Sequence, residues 1–166
     1  MKENNSFAWG LRDGIAIGVG YLAVSFAFGI SAVLLGLSVL EAVLISLLNL
    51  TSAGQLAGTP IIAAGGSFLE LAASQLVINS RYSLMSVSLS QKLGGSVRLR
   101  DKFLIGFANT DEIFAVAMSG EGQVGPAYMR GLMIPPILGW CGGTLLGAAA
   151  GSILPEILIV ALSVSM

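Results

Sequence analysis

The chain has 166 residues, 55% hydrophobic and only 10% charged, with a net charge of −1. Soluble globular domains carry about 25% charged residues, so an ordinary soluble fold is excluded; the outer surface would be one large apolar patch, which lipid accepts and water does not. Near-zero net charge gives nucleic acid nothing to bind, and the absence of histidine removes Ser-His and Cys-His nucleophile pairs and most zinc sites.

Taken in chain order, polar "MKENNSFAWGLRDG" leads into a first apolar segment, Gly14 to Leu35. The segment is too long for the apolar core of a cleavable signal peptide. It is long enough to span a bilayer, which takes about 20 residues, and Gly18, Gly20 and Gly29 are small enough for close helix contacts. A second segment begins near Leu40 and is interrupted by "NLTSAGQLAGTP", Asn49 to Pro60. A third, about Ser67 to Leu89, contains Glu70, Gln75, Asn79 and Arg81. The connection "QKLGGSVRLRDK" gathers Lys92, Arg98, Arg100 and Lys102. A fourth segment, Phe103 to Met118, holds Asp111 and Glu112. The Gly-rich loop "SGEGQVGPAYMR" follows, then a fifth segment from Gly131 to Leu154 and a last one from Pro155. Cys141, the lone cysteine, forms no internal disulfide and reads as a buried small residue.

Cytoplasmic loops are enriched in Lys and Arg. That rule places the 92–102 loop inside, and Lys2 and Arg12 favour the same side for the N-terminus. Both hold only if an even number of crossings lies between them. Residues 38–66 then enter and leave on one side as a re-entrant hairpin, its arms too short to span and its turn at the 49–60 stretch. A faint repeat pairs "GYLAVSFAFGISAVLLGLSVLEAVLISLL" with "GWCGGTLLGAAAGSILPEILIVALSV", matching Tyr21 with Trp140 and Glu41 with Glu156. In this topology the copies begin on opposite sides, an inverted repeat of the kind secondary transporters use. The expected fold is an all-α polytopic membrane bundle with broken or re-entrant helices, in one transmembrane domain over 1–166: a first repeat about 9–90, a connecting helix about 103–119, and the start of a second repeat about 130–166. On this reading the chain stops inside the second copy and looks truncated, or completed by another polypeptide.

Non-helical backbone at membrane depth must face protein or a watered cavity. In the broken stretch, Gly54 and Gly58 allow close approach, Pro60 removes a donor, and Asn49, Thr51, Ser52 and Gln55 can satisfy freed backbone groups or a ligand. A half-helix starting near Gln55 aims N-terminal amides that suit a carboxylate; the alternative is a kinked span whose polar groups satisfy only the protein. Arg81, about midway along an apolar run, needs a carboxylate, carbonyl or anionic ligand. It is either a ligand contact or the partner of Asp111 or Glu112. Gln75, Asn79 and Tyr82 share a helix face. Asp111 and Glu112 are candidate proton or ammonium sites, or mark the start of a helix after a break, with Thr110 or Asp111 as its cap. Glu70 reads as interfacial, and Glu41 forms a capping box with Ser38.

Four motifs in this order, "GLRDGIAIGVGYLAVSFAFG", "SAGQLA", "NSRYSLMSVSL" and "TDEIF", make the chain resemble the AzlC family over about residues 9 to 155. These proteins are the larger subunits of bacterial branched-chain amino acid exporters. The chain departs where the family often has His, here Tyr82, and where it often reads "AGASQF", here "TSAGQL". The resemblance implies a multi-pass protein of the bacterial inner membrane that exports branched-chain or other hydrophobic amino acids, with a small AzlD-type membrane subunit as partner. It implies no cofactor and no enzyme activity, and it is compatible with proton coupling. Carried over by motif, Gln55, Asn79, Arg81, Asp111 and Glu112 are site residues, with Thr51 and Ser52 beside them. The other function compatible with the residues is a channel or a non-transporting structural subunit. An intramembrane Ser-Lys enzyme would need a midmembrane lysine, and every lysine lies in a tail or loop.

Overall fold

A computed structural model describes residues 5–94 and 97–164, with side-chain surroundings as far as Ile153. Lys2, and the side chain of Glu156 on which the repeat partly rested, lie outside the described residues. The described residues form seven α-helices: α1 (Phe7–Leu34), α2 (Val39–Leu48), α3 (Ser52–Ala63), α4 (Phe68–Lys92), α5 (Leu99–Phe107), α6 (Asp111–Ser119) and α7 (Pro126–Val164). α1 and the part of α7 from Pro126 to Ile153 are long and apolar enough to cross a membrane. Their outer faces expose Ile15, Val19, Leu138 and Leu146, whereas Ser25, Ser46, Gln55 and Thr144 are buried. Apolar residues outside and small or polar residues between helices is the arrangement lipid favours.

The pair α1 and α7 is the platform for everything else. Gly10, Gly14 and Gly18 stand four residues apart on one face of α1; Gly131, Pro135, Gly139, Gly143, Gly147 and Gly151 do so on α7. A Cβ on Gly139 would overlap the Gly18 carbonyl, and one on Gly131 the Phe7 carbonyl, so the backbones touch where only glycine fits. Gly29 joins this seam as expected, but Gly20 points into open space. Pro135, Pro136 and Pro155 do not end α7, which continues as one helix where the sequence suggested two segments. Cys141 is half-buried in it rather than buried.

The direction of the pair corrects one expectation. Gly10 lies against Tyr128 and Leu132, Gly18 against Pro135 and Gly139, and Gly29 against Thr144 and Ala148. The numbers rise together, so α1 and α7 run parallel and begin at the same end of the bundle. Copies begun on opposite sides would run antiparallel. Tyr21 and Trp140 therefore mark two helices of the same sense.

Opposite sense appears instead between two span-plus-hairpin units. The near end of the bundle, where α1 and α7 begin, is tied together by Asn5 donating to the Gln123 carbonyl at 3.1 Å and accepting from the Gly125 amide at 2.7 Å. Lys92 donates to the Met118 carbonyl at 2.6 Å, and Leu93 bridges to Val124. So α4 and α6 end at the near end, and α4 begins at the far one. α2 starts at the far end, where Leu37 and Ala42 pack on Phe28, Ala32 and Ala148. α3 returns there, running antiparallel to α4 with Gly54 and Gly58 against Gln75 and Gly66 against Glu70. The segment 38–66 is thus a hairpin that enters and leaves at the far end, as its short arms suggested.

The segment expected as one helix over about 103–119 is likewise two short ones, α5 and α6, broken at Ala108–Thr110. It enters from the near end, where Asp101 and Arg130 form an ion pair at 4.0 Å, and returns there. The break places the polar run "ANTD" at this depth, where its side chains bond other helices: Asn109 to Ser86, Thr110 to Tyr21 and Asp111 to Arg81. Arg12 at the start of α1 and the described basic residues Lys92, Arg98, Arg100 and Lys102 lie at one end, as the charge count requires. Ser38 and Glu41 form the capping box at the start of α2, and Ser67 caps the Glu70 amide at the start of α4.

Candidate functional site

Both breaks lie deep in the bundle, and each presents the N-terminus of a half-helix. At the first, Asn49 and Thr51 are extended, with φ −140° and −126°. Gln55, one turn into α3, is 1% exposed. Its Oε1 accepts from Ser46 Oγ at 3.2 Å and Trp140 Nε1 at 3.3 Å, and its Nε2 donates to the Asn49 carbonyl. Ser46 in turn is 2.7 Å from Thr144 Oγ1 on α7. Gln55 therefore clamps the break to the platform with its amide already engaged, closer to the protein-satisfying alternative than to a free ligand contact.

The atoms without partners lie one step away. Gln75 on α4 donates to the Gly54 carbonyl at 2.8 Å, and Asn79 donates to Gln75 Oε1 at 3.0 Å, which confirms their common face. Thr51 Oγ1 and Asn79 Oδ1 are buried and have no hydrogen-bond partner among the described residues. Both side chains converge on Gly54, where a Cβ would meet Thr51, Gln75 and Asn79. Thr51 gives α3 no side-chain cap, and no acidic residue sits in its first turn. The start of α3 is thus a set of amides without an anion. Ser52 opens α3 half-buried, without a side-chain hydrogen bond among the described residues.

Beside this break a cavity of about 370 Å³ lies between α2, α3 and α4. Leu44, Ile45, Leu48, Ile62 and Leu71 line it, together with the polar residues Glu41, Asn49, Gln55, Thr59 and Gln75. The size falls within the roughly 300–1,000 Å³ of small-molecule sites.

The second break carries charge. Asp111 and Glu112 occupy the first turn of α6, where the helix dipole favours them. Asp111 pairs with Arg81 at 2.7 Å, and Arg81 also donates to Tyr82 Oη at 3.2 Å. Of the two readings of Arg81, its pairing with Asp111 is the one observed. Glu112 accepts from the Tyr21 hydroxyl, which lies 2.6 Å from Thr110 Oγ1. Thr110 occupies the N-cap position, but its hydroxyl serves Tyr21 instead of the helix. Asn109 is 3% exposed and leaves its Oδ1 unpartnered.

Tyr21 and Trp140 join the two breaks. Their rings meet edge to face, centroids 5.2 Å apart; Trp140 holds Gln55 of the first break, and Tyr21 holds Thr110 and Glu112 of the second. In the sequence these two aromatics stand out only as repeat markers. Each follows a glycine inside an apolar helix, and a Tyr or Trp there needs a partner for its polar atom, which was the signal available. Ser46 and Thr144 carried no such signal.

A family model described as AzlC protein matches residues 16–154. The chain is 31% identical over 151 residues to the inner membrane protein YgaZ of Escherichia coli, covering 89% of this chain and 62% of that protein. It is 34% identical over 155 residues to an uncharacterized membrane protein of Archaeoglobus fulgidus, covering 93% of this chain and 67% of the relative. The chain thus spans less than two thirds of the length of the Escherichia coli protein. No solved structure gives a significant match. Two helices long and apolar enough to span, and a family match across most of the chain, lead to one conclusion: this protein is a membrane protein of the AzlC family.

Proposed function

We propose that the chain forms the substrate-binding part of a secondary transporter for branched-chain or other small hydrophobic amino acids, acting in export from the cytoplasm. One observation carries this reading: an apolar cavity reaches Asn49, Gly54 and Gln55 at an uncapped helix N-terminus, and just outside its lining the Thr51 and Asn79 oxygens are unpartnered. The walls suit an aliphatic side chain. The α3 amides and Thr51 suit the carboxylate, and Asn79 Oδ1 suits the ammonium. Arg81 and Asp111 neutralise each other beside the site, and Glu112 with Tyr21 supplies the group that would carry a coupled proton. The basic 92–102 loop and the N-terminus would face the cytoplasm of the bacterial inner membrane. A small AzlD-type membrane subunit, implied by the family resemblance, completes the proposal.

The test is uptake of labelled leucine and valine into proteoliposomes, with and without that subunit. Wild type would show saturable, stereoselective transport, and Thr51→Ala and Asn79→Ala would raise KM. Non-saturable flux, or equal transport in wild type, Thr51→Ala, Asn79→Ala and Asp111→Asn at matched expression, would sink the reading in favour of a channel or structural subunit.

A further inference from the structure

A second hollow, of about 620 Å³, lies between α4 and α5 at the near end. Its floor is Asn109, buried, with Nδ2 donating to Ser86 Oγ at 3.4 Å and Oδ1 unpartnered. Its mouth is Lys102, exposed and outside both ion pairs found among the described residues. Leu89, Leu93 and Ile105 line the space between. Lys102 lies in the first turn of α5 and Asn109 in the break beyond its end, and both line the hollow.

A buried acceptor without a partner is costly unless a donor fills it, and a cation at the mouth attracts the opposite charge. We propose that this hollow is a second binding site, for a zwitterionic aliphatic amino acid, with the ammonium on Asn109 and the carboxylate on Lys102. The inference rests on the transport reading above and extends it. The two cavities approach the two breaks from opposite ends of the bundle, with the Tyr21–Trp140 pair between them. Asn109 adjoins Thr110, whose hydroxyl accepts from Tyr21, the residue that also donates to Glu112.

The experiment is equilibrium binding of labelled L-leucine to the full chain in nanodiscs, up to millimolar ligand, with L-leucinamide and 4-methylpentanoate as competitors lacking one charge each. Wild type is expected to bind two leucines per chain. Lys102→Gln, at an exposed position that cannot disturb packing, should weaken one of them roughly tenfold or more while leaving leucinamide unaffected. Asn109→Ala should remove the same site, Asn109→Asp should restore it, and Asn79→Ala should remove the other. One leucine per chain, lost in Asn79→Ala and indifferent to Lys102→Gln, would overturn the second site and leave the transport reading standing. Two sites unchanged by the Lys102 and Asn109 variants would overturn the assignment. No binding in wild type would overturn both.

Discussion

The two hairpins solve one problem with different chemistry. Both interrupt a helix deep in an apolar bundle and must satisfy freed backbone groups. The α2–α3 break uses only neutral groups, Gln55, Ser46, Asn49, Thr144 and Trp140, and leaves its half-helix start without an anion. The α5–α6 break brings its own carboxylates, one paired with Arg81 and one held by Tyr21. A neutral, open helix start leaves room for an anion from outside, whereas the other start already holds Asp111 and Glu112. The proposal above therefore puts substrate binding at the first break and proton coupling at the second, with one aromatic pair between them.

The largest effect should come from removing what the hairpins share. Gly139→Leu drives a side chain into the α1 backbone at Gly18 and separates the helices that carry Tyr21 and Trp140. Loss of monodisperse protein on size-exclusion chromatography is expected, with both hairpins lost together. Gln55→Leu should strike the first hairpin alone. It leaves the Asn49 carbonyl and Trp140 Nε1 unpaired, at about 1–3 kcal/mol per buried orphan. Thermal unfolding in detergent should show a clear drop, with the Arg81–Asp111 coupling intact.

For the second hairpin, Arg81→Ala and Asp111→Asn should each lower transport more than the double variant does, because a single change leaves one uncompensated charge. The pair is nearly half exposed, so the coupling in a double-mutant cycle should be modest, about 1 kcal/mol or less. Glu112→Gln should leave folding and leucine binding close to wild type but flatten the pH profile of transport; a retained profile would remove Glu112 from the coupling role. The smallest effect belongs to Gly20→Ala, where a Cβ meets nothing within 4 Å. A stability change within about 0.5 kcal/mol is expected, against the collapse predicted at Gly139.

Much of this was legible in the residues because it rests on local rules. Composition demanded a membrane, and the polar stretch at Asn49–Pro60 marked a helix break that α2 and α3 confirm. Ser38–Glu41 announced a cap, and the charge count required a hairpin over 38–66. The break at Ala108–Thr110 is half visible: Thr110 or Asp111 reads as a helix cap, but the apolar residues on both sides read as one span. Apolar helices look alike from every side, so the sequence could not say that α1 and α7 run parallel or that opposite sense lies between the hairpins. A glycine stripe shows that a helix is approached closely, but it does not name the partner or its direction. Only the tertiary structure engaged the Gln55 amide within the protein, left Thr51 and Asn79 unpartnered, and set Tyr21 against Trp140, because hydrogen bonds between distant segments depend on which helices the glycine seam brings together.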